Sequence, residues 1–225
     1  MANYTIDPQI LIPYLPSKTE LDLFEGKCFV SLIGFMFLDT KLKGIPIPFH
    51  QKFEEVNLRF YVRHKSGNEW KRGTVFIKEI VPKFLVSLVA NTLYGEHYET
   101  RQMAHLWKMG KDKIEVEYAW KTANWHRIKI ESEAELKEIT QGSEMEFITE
   151  HYWGYTKLSE TKTSEYGVEH PRWQVYKTIN YEIDCNFDQN YGQSFSFLNY
   201  QKPSSVFLVK GSEILVREGS QIGSV

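Results

Sequence analysis

The sequence lacks the features that mark several common classes of protein. It contains no GxGxxG, GxxxxGK[ST], HExxH or GxSxG motif, which disfavours nucleotide-phosphate loops, zinc proteases and the common serine hydrolases. Lys and Arg number 27 against 29 Asp and Glu, a formal net charge of −2. Because binding to a phosphate backbone draws on an excess of positive charge, no nucleic-acid partner is expected.

Cysteine, targeting signals and long apolar runs are equally scarce. Cys28 and Cys185 are the two cysteines, with no CxxC and no Cys/His ligand spacing, so we expect reduced, packed thiols and no metal or cofactor. The first residues show neither a basic nor an apolar leader region. The most apolar run, residues 28–38, is far shorter than the roughly 20 residues that span a bilayer. These features predict a cytoplasmic protein without a membrane partner.

What the sequence does contain is aromatic residues, at 15% of 225 residues. About nine strand candidates and one substantial helix are readable, without the alternating rhythm of a parallel α/β sheet. We therefore predict a mainly β (α+β) fold, an antiparallel or mixed closed or cone-like β-barrel with a helix beside it. No linker or repeat divides the chain, so a single domain over residues 1–225 is expected.

The clearest elements follow from periodicity. Residues 27–38 are apolar on both alternate sets, which predicts a central strand covered on both faces. Pro82 and Gly95 bound a predicted helix with an apolar stripe. Two prolines in residues 44–50 predict an extended loop able to line a site. Further strands are predicted at residues 55–62, 73–80, 114–121, 125–131, 144–158 and 172–184, with a polar loop at 159–169, a solvated acidic loop or helix at 131–138 and a terminal hairpin over 206–216.

A polar stripe runs along one of these strands. In residues 55–62, Glu55, Asn57, Arg59 and Tyr61 alternate with apolar residues and share one face. The stripe faces solvent in an open sheet and lines a cavity in a barrel wide enough for a ligand. In the second case the Arg59 guanidinium is suited to anchor an anion with two parallel hydrogen bonds.

Glu79 is predicted to share a strand face with Val75 and Ile77. A carboxylate among apolar residues must be paired, hydrogen-bonded or kept protonated by a raised pKa. Such carboxylates occur at functional sites and in structural ion pairs alike. Both alternatives stay open for Glu79.

The dipeptide Glu-His occurs three times, at residues 96–97, 150–151 and 169–170, each in or beside an aromatic stretch. An imidazole in such a place can act as acid, base or ligand contact. In the strand predicted over residues 144–158, His151 shares a face with Phe147, Trp153 and Tyr155. The alternative is that His151 has only a structural role, as a core histidine bonded to a backbone carbonyl.

Several separated motifs carry a family resemblance. They are Ser-Leu-Ile-Gly-Phe-Met-Phe from residue 31, Gly-Ile-Pro-Ile-Pro-Phe-His from 44, Phe-Glu-Glu-Val-Asn-Leu-Arg-Phe-Tyr-Val-Arg from 53, Phe-Ile-Thr-Glu-His-Tyr-Trp-Gly-Tyr from 147 and Val-Glu-His-Pro-Arg-Trp from 168. Together they resemble the uncharacterised YqjF-like family of bacterial proteins, a distant relative of acetoacetate decarboxylase. The resemblance implies a cone-like β-barrel around a small polar cavity.

The same resemblance raises a question of chemistry. The decarboxylase uses a Schiff-base lysine whose pKa is lowered by an adjacent lysine, and the comparable stretch here, residues 93–101, contains no lysine. We therefore expect a protein that binds a small carbonyl- or carboxylate-bearing molecule, with an acid–base lyase acting on a β-keto acid, or a protein-interaction module, as alternatives. The candidate cavity residues are Glu55, Asn57, Arg59, Glu79, Tyr98 and His151.

Overall fold

The fold is that of a computed structural model, which describes residues 1–42, 45–46 and 50–223. The strands are β1 (Ala2–Ile6), β2 (Thr19–Leu21), β3 (Cys28–Phe37), β4 (Lys41–Leu42), β5 (Ile45–Pro46), β6 (Phe53–Ser66), β7 (Glu69–Val81), β8 (Tyr98–Thr100), β9 (Met103–Met109), β10 (Lys113–Lys121), β11 (Trp125–Glu138), β12 (Trp153–Lys157), β13 (Lys162–Glu169), β14 (Gln174–Asp184), β15 (Ser205–Val206), β16 (Leu208–Val209), β17 (Leu215–Val216) and β18 (Ser220–Gly223). The α-helices are α1 (Pro8–Leu11), α2 (Phe84–Val89), α3 (Glu144–Thr149) and α4 (Phe187–Tyr191), with 3₁₀ turns at Ile12–Tyr14 and Gln193–Asn199 and a π-helical turn at Ala90–Tyr94.

Two sheets make up most of the described chain. The larger has the order β15-β1-β3-β6-β7-β12-β13-β17, with β2 beside β6, β8 beside β7 and β18 beside β13, and the smaller has the order β16-β14-β11-β10-β9. Pairing is antiparallel except where β7 meets β12 and β8. The larger sheet curls into half a barrel. The predicted mainly β, mixed and barrel-like fold is thus confirmed.

The strand β3 is covered on both faces, as predicted. Val30 and Leu32 belong to an apolar core that also contains Tyr118 and Trp120 of the smaller sheet. Phe29 and Ile33 project to the other face, into a second cluster around Phe147. Burial of apolar side chains on both sides explains why this segment has no polar face.

The predicted helix ends where expected but presents its apolar stripe outward. Gly95 adopts a left-handed conformation with φ of 70° and ends the helical segment, as glycine commonly does. Phe84 and Leu85 remain 64% and 54% exposed, so this stripe does not pack against the core. The side that faces the protein carries Ser87, whose hydroxyl lies 2.5 Å from the Thr100 hydroxyl.

Part of the strand predicted over residues 144–158 is the helix α3. Ser143 accepts a hydrogen bond from the Glu146 amide, and the Glu146 carboxylate accepts one from the Gly142 amide. These bonds cap the helix start. Phe147 and Ile148 of this helix are buried. The local capping sequence therefore overrides the aromatic, strand-like composition, and only β12 keeps the predicted extended form.

Three other segments differ from the sequence prediction. The supposed acidic loop at residues 131–138 is the end of β11, and β13 occupies most of the supposed loop at 159–169. Residues 206–216 form no hairpin, since β16 pairs with β14 and β17 with β13. In each case a long-range strand partner, which local composition does not reveal, decides the structure. The predicted loop at 44–50 lies largely outside the described residues. Among the described residues, no helix has the length and apolar character needed to cross a bilayer.

Candidate functional site

The polar stripe of β6 lies on the buried face of the larger sheet that is turned away from the core between the two sheets, which we call the inner face. Glu55 and Asn57 are only 2% and 1% exposed, and Arg59 is half-buried. The alternate residues of the strand, such as Val56 and Leu58, pack in the core between the sheets. Of the two alternatives left open by the sequence, the solvent-facing stripe is therefore excluded.

Glu79 joins this polar face through a register shift. The pairing of β6 with β7 is irregular between Leu58 and Arg59, so that Phe60 lies opposite Val75 whereas Asn57 lies opposite Glu79. Residues directly opposite in an antiparallel pair project to the same side. Glu79 is thus beside Asn57, and the prediction that it shares a face with Val75 is wrong. A bulge changes which side chains face the core and leaves no mark in the sequence.

The segment after α2 brings further polar groups to the same place. β8 runs parallel to β7 and sets Tyr98 opposite Glu79. The Tyr98 hydroxyl donates to Glu55 Oε2 at 3.2 Å, and Asn57 Nδ2 donates to Glu55 Oε1 at 2.8 Å. A hydrogen bond also joins Tyr98 to Glu79. Four of the six predicted residues therefore form one connected group.

A third carboxyl group, that of Glu96, completes this group. Thr156 on β12 donates to Glu96 Oε1 at 2.8 Å, and the Tyr166 side chain on β13 forms a hydrogen bond with Glu96. The Tyr166 ring lies over Gly154, where an added Cβ would be 2.1 Å from a ring carbon. We call the three carboxyl groups with their partners the acid cluster: Glu55, Glu79, Glu96, Asn57, Tyr98, Thr156 and Tyr166.

Burial controls the ionisation of the acid cluster. It raises the pKa of Glu55 to about 7, against the opposing effects of the Asn57 and Tyr98 hydrogen bonds and the Arg59 charge. Burial and the nearby Glu55 and Glu96 charges raise the pKa of Glu79 well above its usual range. Burial also raises the pKa of Glu96. At neutral pH, protonated carboxyl groups can therefore donate hydrogen bonds as well as accept them.

His151 belongs to a second polar group, reached from the end of α3. Its Nε2 lies 3.2 Å from Asp22 Oδ2, which also accepts a hydrogen bond from Arg72 Nε at 2.6 Å. Burial lowers the pKa of His151 to about 4, although Asp22 opposes this. The ring is neutral at neutral pH, so a hydrogen bond to the Asp22 carboxylate requires the proton on Nε2. The Nδ1 atom is then an acceptor.

His151 is buried, as the core-histidine alternative predicts, but its partner is the Asp22 carboxylate and not a backbone carbonyl. The ring also packs against Tyr61 and Phe147, with centroid distances of 4.7 and 5.0 Å. His151 lies beside Phe147, with which it was predicted to share a strand face, but Phe147 is on the helix α3 and not on a strand. We call Asp22, Arg72 and His151 the histidine group.

Arg59 lies between the acid cluster and the histidine group. Its positive charge lowers the pKa of both Glu55 and His151. One guanidinium nitrogen, Nη2, donates to the Ile148 carbonyl at 3.3 Å, and the guanidinium carbon is 5.6 Å from the centre of the Tyr61 ring. Arg59 is thus the cationic group that links the two parts of the inner face.

Eleven buried side-chain polar atoms have no hydrogen-bond partner among the described residues, and four of them belong to predicted site residues. Asn57 Oδ1, Arg59 Nε, Glu79 Oε2 and His151 Nδ1 are buried and have no hydrogen-bond partner among the described residues. Most buried polar atoms in folded proteins are paired, so each exception requires an explanation. Four such atoms on one inner face are the expected signature of a site that is completed by a ligand or water.

Two pockets touch one member each of the acid cluster and the histidine group, and neither is lined by Asn57, Arg59, Glu79 or His151. One of about 560 Å³ is lined in part by Trp153, Glu165 and Tyr166, and so reaches the acid cluster at Tyr166. The other, of about 380 Å³, is lined in part by Arg72 and Phe147, and so reaches the histidine group. Each polar group therefore has open space at its border.

Several residues of the site cannot be recognised from the local sequence. Glu96 is visible there only as part of a Glu-His dipeptide. No local pattern marks Thr156, Tyr166 or Asp22, because long-range strand pairing brings them to the site. Among the described residues, no group of three or more His, Cys, Asp or Glu side chains is arranged to hold a metal ion.

Comparisons with known proteins agree with this fold. Residues 1–213 match the profile of a family described as an uncharacterized conserved protein. The uncharacterized protein YqjF of Bacillus subtilis (strain 168) is 31% identical over 124 residues, which are 55% of this chain and 48% of that protein. The match thus spans about half the length of that relative. The predicted YqjF-like resemblance is confirmed.

Two solved structures share the architecture. Acetoacetate decarboxylase from Legionella pneumophila has a TM-score of 0.60 at 12% identity, over 99% of this chain and 83% of that one. The enduracididine biosynthesis enzyme MppR complexed with pyruvate has a TM-score of 0.58 at 10% identity, over 98% and 82%. At such identities the likeness shows the fold alone, which is the acetoacetate decarboxylase-like fold predicted.

The raised pKa of Glu79 makes a prediction for stability. A carboxyl group whose pKa is higher in the folded than in the unfolded state stabilises the fold at low pH, and that contribution is lost as pH rises through the folded-state pKa. Glu79→Gln removes the ionisation, so we expect its free energy of unfolding at pH 8 to exceed that of the wild type by roughly 1–3 kcal/mol, with little difference at pH 4. Urea unfolding across this range measures it.

Glu69→Gln, at the exposed start of the same strand, is the matched control and should leave the pH dependence unchanged. If wild type and Glu79→Gln show parallel curves from pH 4 to pH 8, Glu79 has an ordinary pKa and the assignment is wrong.

Proposed function

Because this chain belongs to the DUF2071 family of uncharacterized conserved proteins and has the acetoacetate decarboxylase-like fold, we propose that it binds a small molecule with a carbonyl or carboxylate group inside the curled sheet. The observation that carries this proposal is the set of unpartnered buried atoms on Asn57, Arg59, Glu79 and His151. Carbonyl or carboxylate oxygens of the ligand supply partners for Arg59 Nε and for a protonated Glu79, whereas the acceptors Asn57 Oδ1 and His151 Nδ1 require an N–H or O–H group of the ligand or of water.

The chemistry of the inner face suits such a ligand. Arg59 Nε is a charged donor without a partner among the described residues, and a guanidinium binds a carboxylate strongly. Protonated carboxyl groups of the acid cluster can donate to a carbonyl oxygen. Pyruvate, which MppR holds in its solved complex, carries both groups and is a suitable first probe.

A β-keto acid lyase is a second candidate, and the raised pKa values of Glu55 and Glu79 favour it. Loss of CO₂ from acetoacetate breaks a C–C bond and leaves its electron pair on an enolate, which a protonated carboxyl group can quench at carbon while Arg59 stabilises the negative charge. Every described lysine is partly or fully exposed, so this route uses acid–base chemistry without a Schiff base. Assay of acetone release tests it directly.

We also propose a cytoplasmic location, with neither nucleic acid nor membrane as partner. Cys28 and Cys185 are unpaired, and burial raises the pKa of the Cys28 thiol to about 11. Unpaired, unreactive thiols fit a reducing compartment.

Arg59→Ala tests the anion anchor. Removing a charged hydrogen bond in a buried site costs on the order of 1.5–3 kcal/mol, so we expect the dissociation constant for pyruvate, measured by calorimetry, to rise about 10-fold to 100-fold. Arg63→Ala is the matched control, since Arg63 lies on the same strand but is bound to the exposed Glu20. Unchanged pyruvate binding by Arg59→Ala would remove the anchor role, and failure of the wild type to bind pyruvate or any other small carboxylate would overturn the proposal.

Pyruvate binding should weaken as pH rises. Glu55 ionises with a pKa of about 7, so above this pH the ligand loses a donor and meets a negative charge. We expect the affinity to fall at least several-fold between pH 6 and pH 8.5. An affinity that is flat or increases over this range would contradict a role for protonated acids.

Borohydride treatment in the presence of acetoacetate should leave no covalent adduct on the protein, as judged by intact mass. An adduct on any lysine would show that Schiff-base chemistry operates in spite of the lysine-free stretch at 93–101.

A further inference from the structure

The unpartnered atoms of the acid cluster indicate more about the ligand than a carboxylate. Asn57 Nδ2 donates to Glu55 Oε1 at 2.8 Å, which turns the amide oxygen away from Glu55. This Oδ1 atom is buried without a partner among the described residues, and so is Oε2 of Glu79. Because Asn57 and Glu79 are directly opposite in the sheet, their Cβ atoms are about 4.5–5.5 Å apart. Both atoms lie on one small area of the inner face.

Asn57 Oδ1 is the more informative of the two atoms. A carboxyl oxygen can accept or, when protonated, donate, whereas an amide oxygen accepts in every state. Carbonyl and carboxylate oxygens of a keto acid are all acceptors and cannot satisfy it. The missing partner of Asn57 is therefore an N–H or O–H group, and on the proposed function the ligand supplies it.

Charge narrows the choice of donor. The three carboxyl groups of the acid cluster are accompanied by one described cation, Arg59, that acts on Glu55. Burying further ionised carboxylates without compensation is costly, which is why they hold protons in the unliganded protein. A ligand ammonium group would compensate one of them, with Glu79 releasing its proton and Oε2 accepting from the ammonium.

Arg59 is within reach of the same ligand. It follows Asn57 by two residues on the inner face of β6, a rise of roughly 6–7 Å along a strand. Its free Nε donor can take a carboxylate while Asn57 and Glu79 take an amine. One small molecule with both groups can span the two positions, with a hydrogen bond of about 2.9 Å at each end.

We infer that the ligand is a small amino acid, whose ammonium group binds Asn57 Oδ1 and the Glu79 carboxylate while its carboxylate binds Arg59. This inference rests on the proposed function and adds a substrate class to it: a zwitterion in place of a simple keto or carboxylic acid.

The test compares three amino acids with their deamino counterparts on the full chain. Glycine, β-alanine and γ-aminobutyrate are titrated beside acetate, propionate and butyrate, and beside pyruvate, by calorimetry at pH 6 and pH 8. At least one amino acid should bind 10-fold more tightly than its counterpart. The preference should increase with pH, because the amine binds an ionised Glu79, whereas carboxylic acids should bind less well. Titration in two buffers of different ionisation enthalpy should show proton release at pH 6.

Two variants assign the preference to the acceptors. Asn57→Leu removes the amide oxygen, and Glu79→Gln replaces the ionisable acceptor by a neutral amide, so that each should reduce the amino-acid preference to about 1-fold or 2-fold. If one of these two variants fails to fold, the other still tests the inference. Asn180→Leu, at an exposed position of β14, is the control and should keep the preference.

The outcomes separate the two levels of the argument. If the carboxylic acids or pyruvate bind through Arg59 and an amino group adds nothing, the ligand class is wrong and the proposed function stands. If the preference persists in both variants, Asn57 and Glu79 do not bind the ammonium group, which overturns the inference while the proposed function stands. If none of the seven probes binds, the proposed function fails and the amino-acid inference fails with it.

Discussion

Burial of three carboxyl groups on the inner face of a curled sheet is the constraint on which the site depends. Glu55, Glu79 and Glu96 are removed from water among tyrosine, asparagine and threonine side chains, with Arg59 as the adjoining cation. Ionised together they would be strongly destabilising. The folded protein keeps them neutral, at the expense of stability when pH rises, and such a cost is common at functional sites.

Several backbone features are needed to bring these groups together. The register shift between β6 and β7 turns Glu79 to the side of Asn57. The left-handed Gly95 ends the helical segment, so that the chain returns along β7 with Glu96 and Tyr98. Gly154 leaves room for the Tyr166 ring, through which the acid cluster borders the cavity of about 560 Å³. None of these features is required by a well-packed core alone, and together they shape a polar interior.

Much of the fold and part of the site could be predicted from the sequence. Alternation alone identifies Glu55, Asn57 and Arg59 as one stripe, and the apolar surroundings of Glu79 mark it as unusual. Strand periodicity cannot show a bulge, so the face of Glu79 was predicted wrongly. Aromatic composition predicts a strand over residues 144–158, although Ser143, just before it, and Glu146 cap the start of a helix.

The remaining site residues depend on pairings that no local pattern encodes. Thr156 and Tyr166 reach Glu96 because β12 lies parallel to β7 across a long connection, and Asp22 meets His151 from the other half of the chain. The resemblance to known families supplies the fold but not these contacts, since the solved relatives are only 9–14% identical.

A carbon-13 NMR titration of the glutamate carboxyl groups measures whether the acid cluster is protonated at neutral pH. With Glu55→Gln and Glu79→Gln used to assign the signals, we expect a pKa of about 7 for Glu55. We expect the Glu79 carboxyl group to stay protonated well above the usual pKa of glutamate. Titration of both signals near pH 4.5, the ordinary pKa of glutamate, would contradict it.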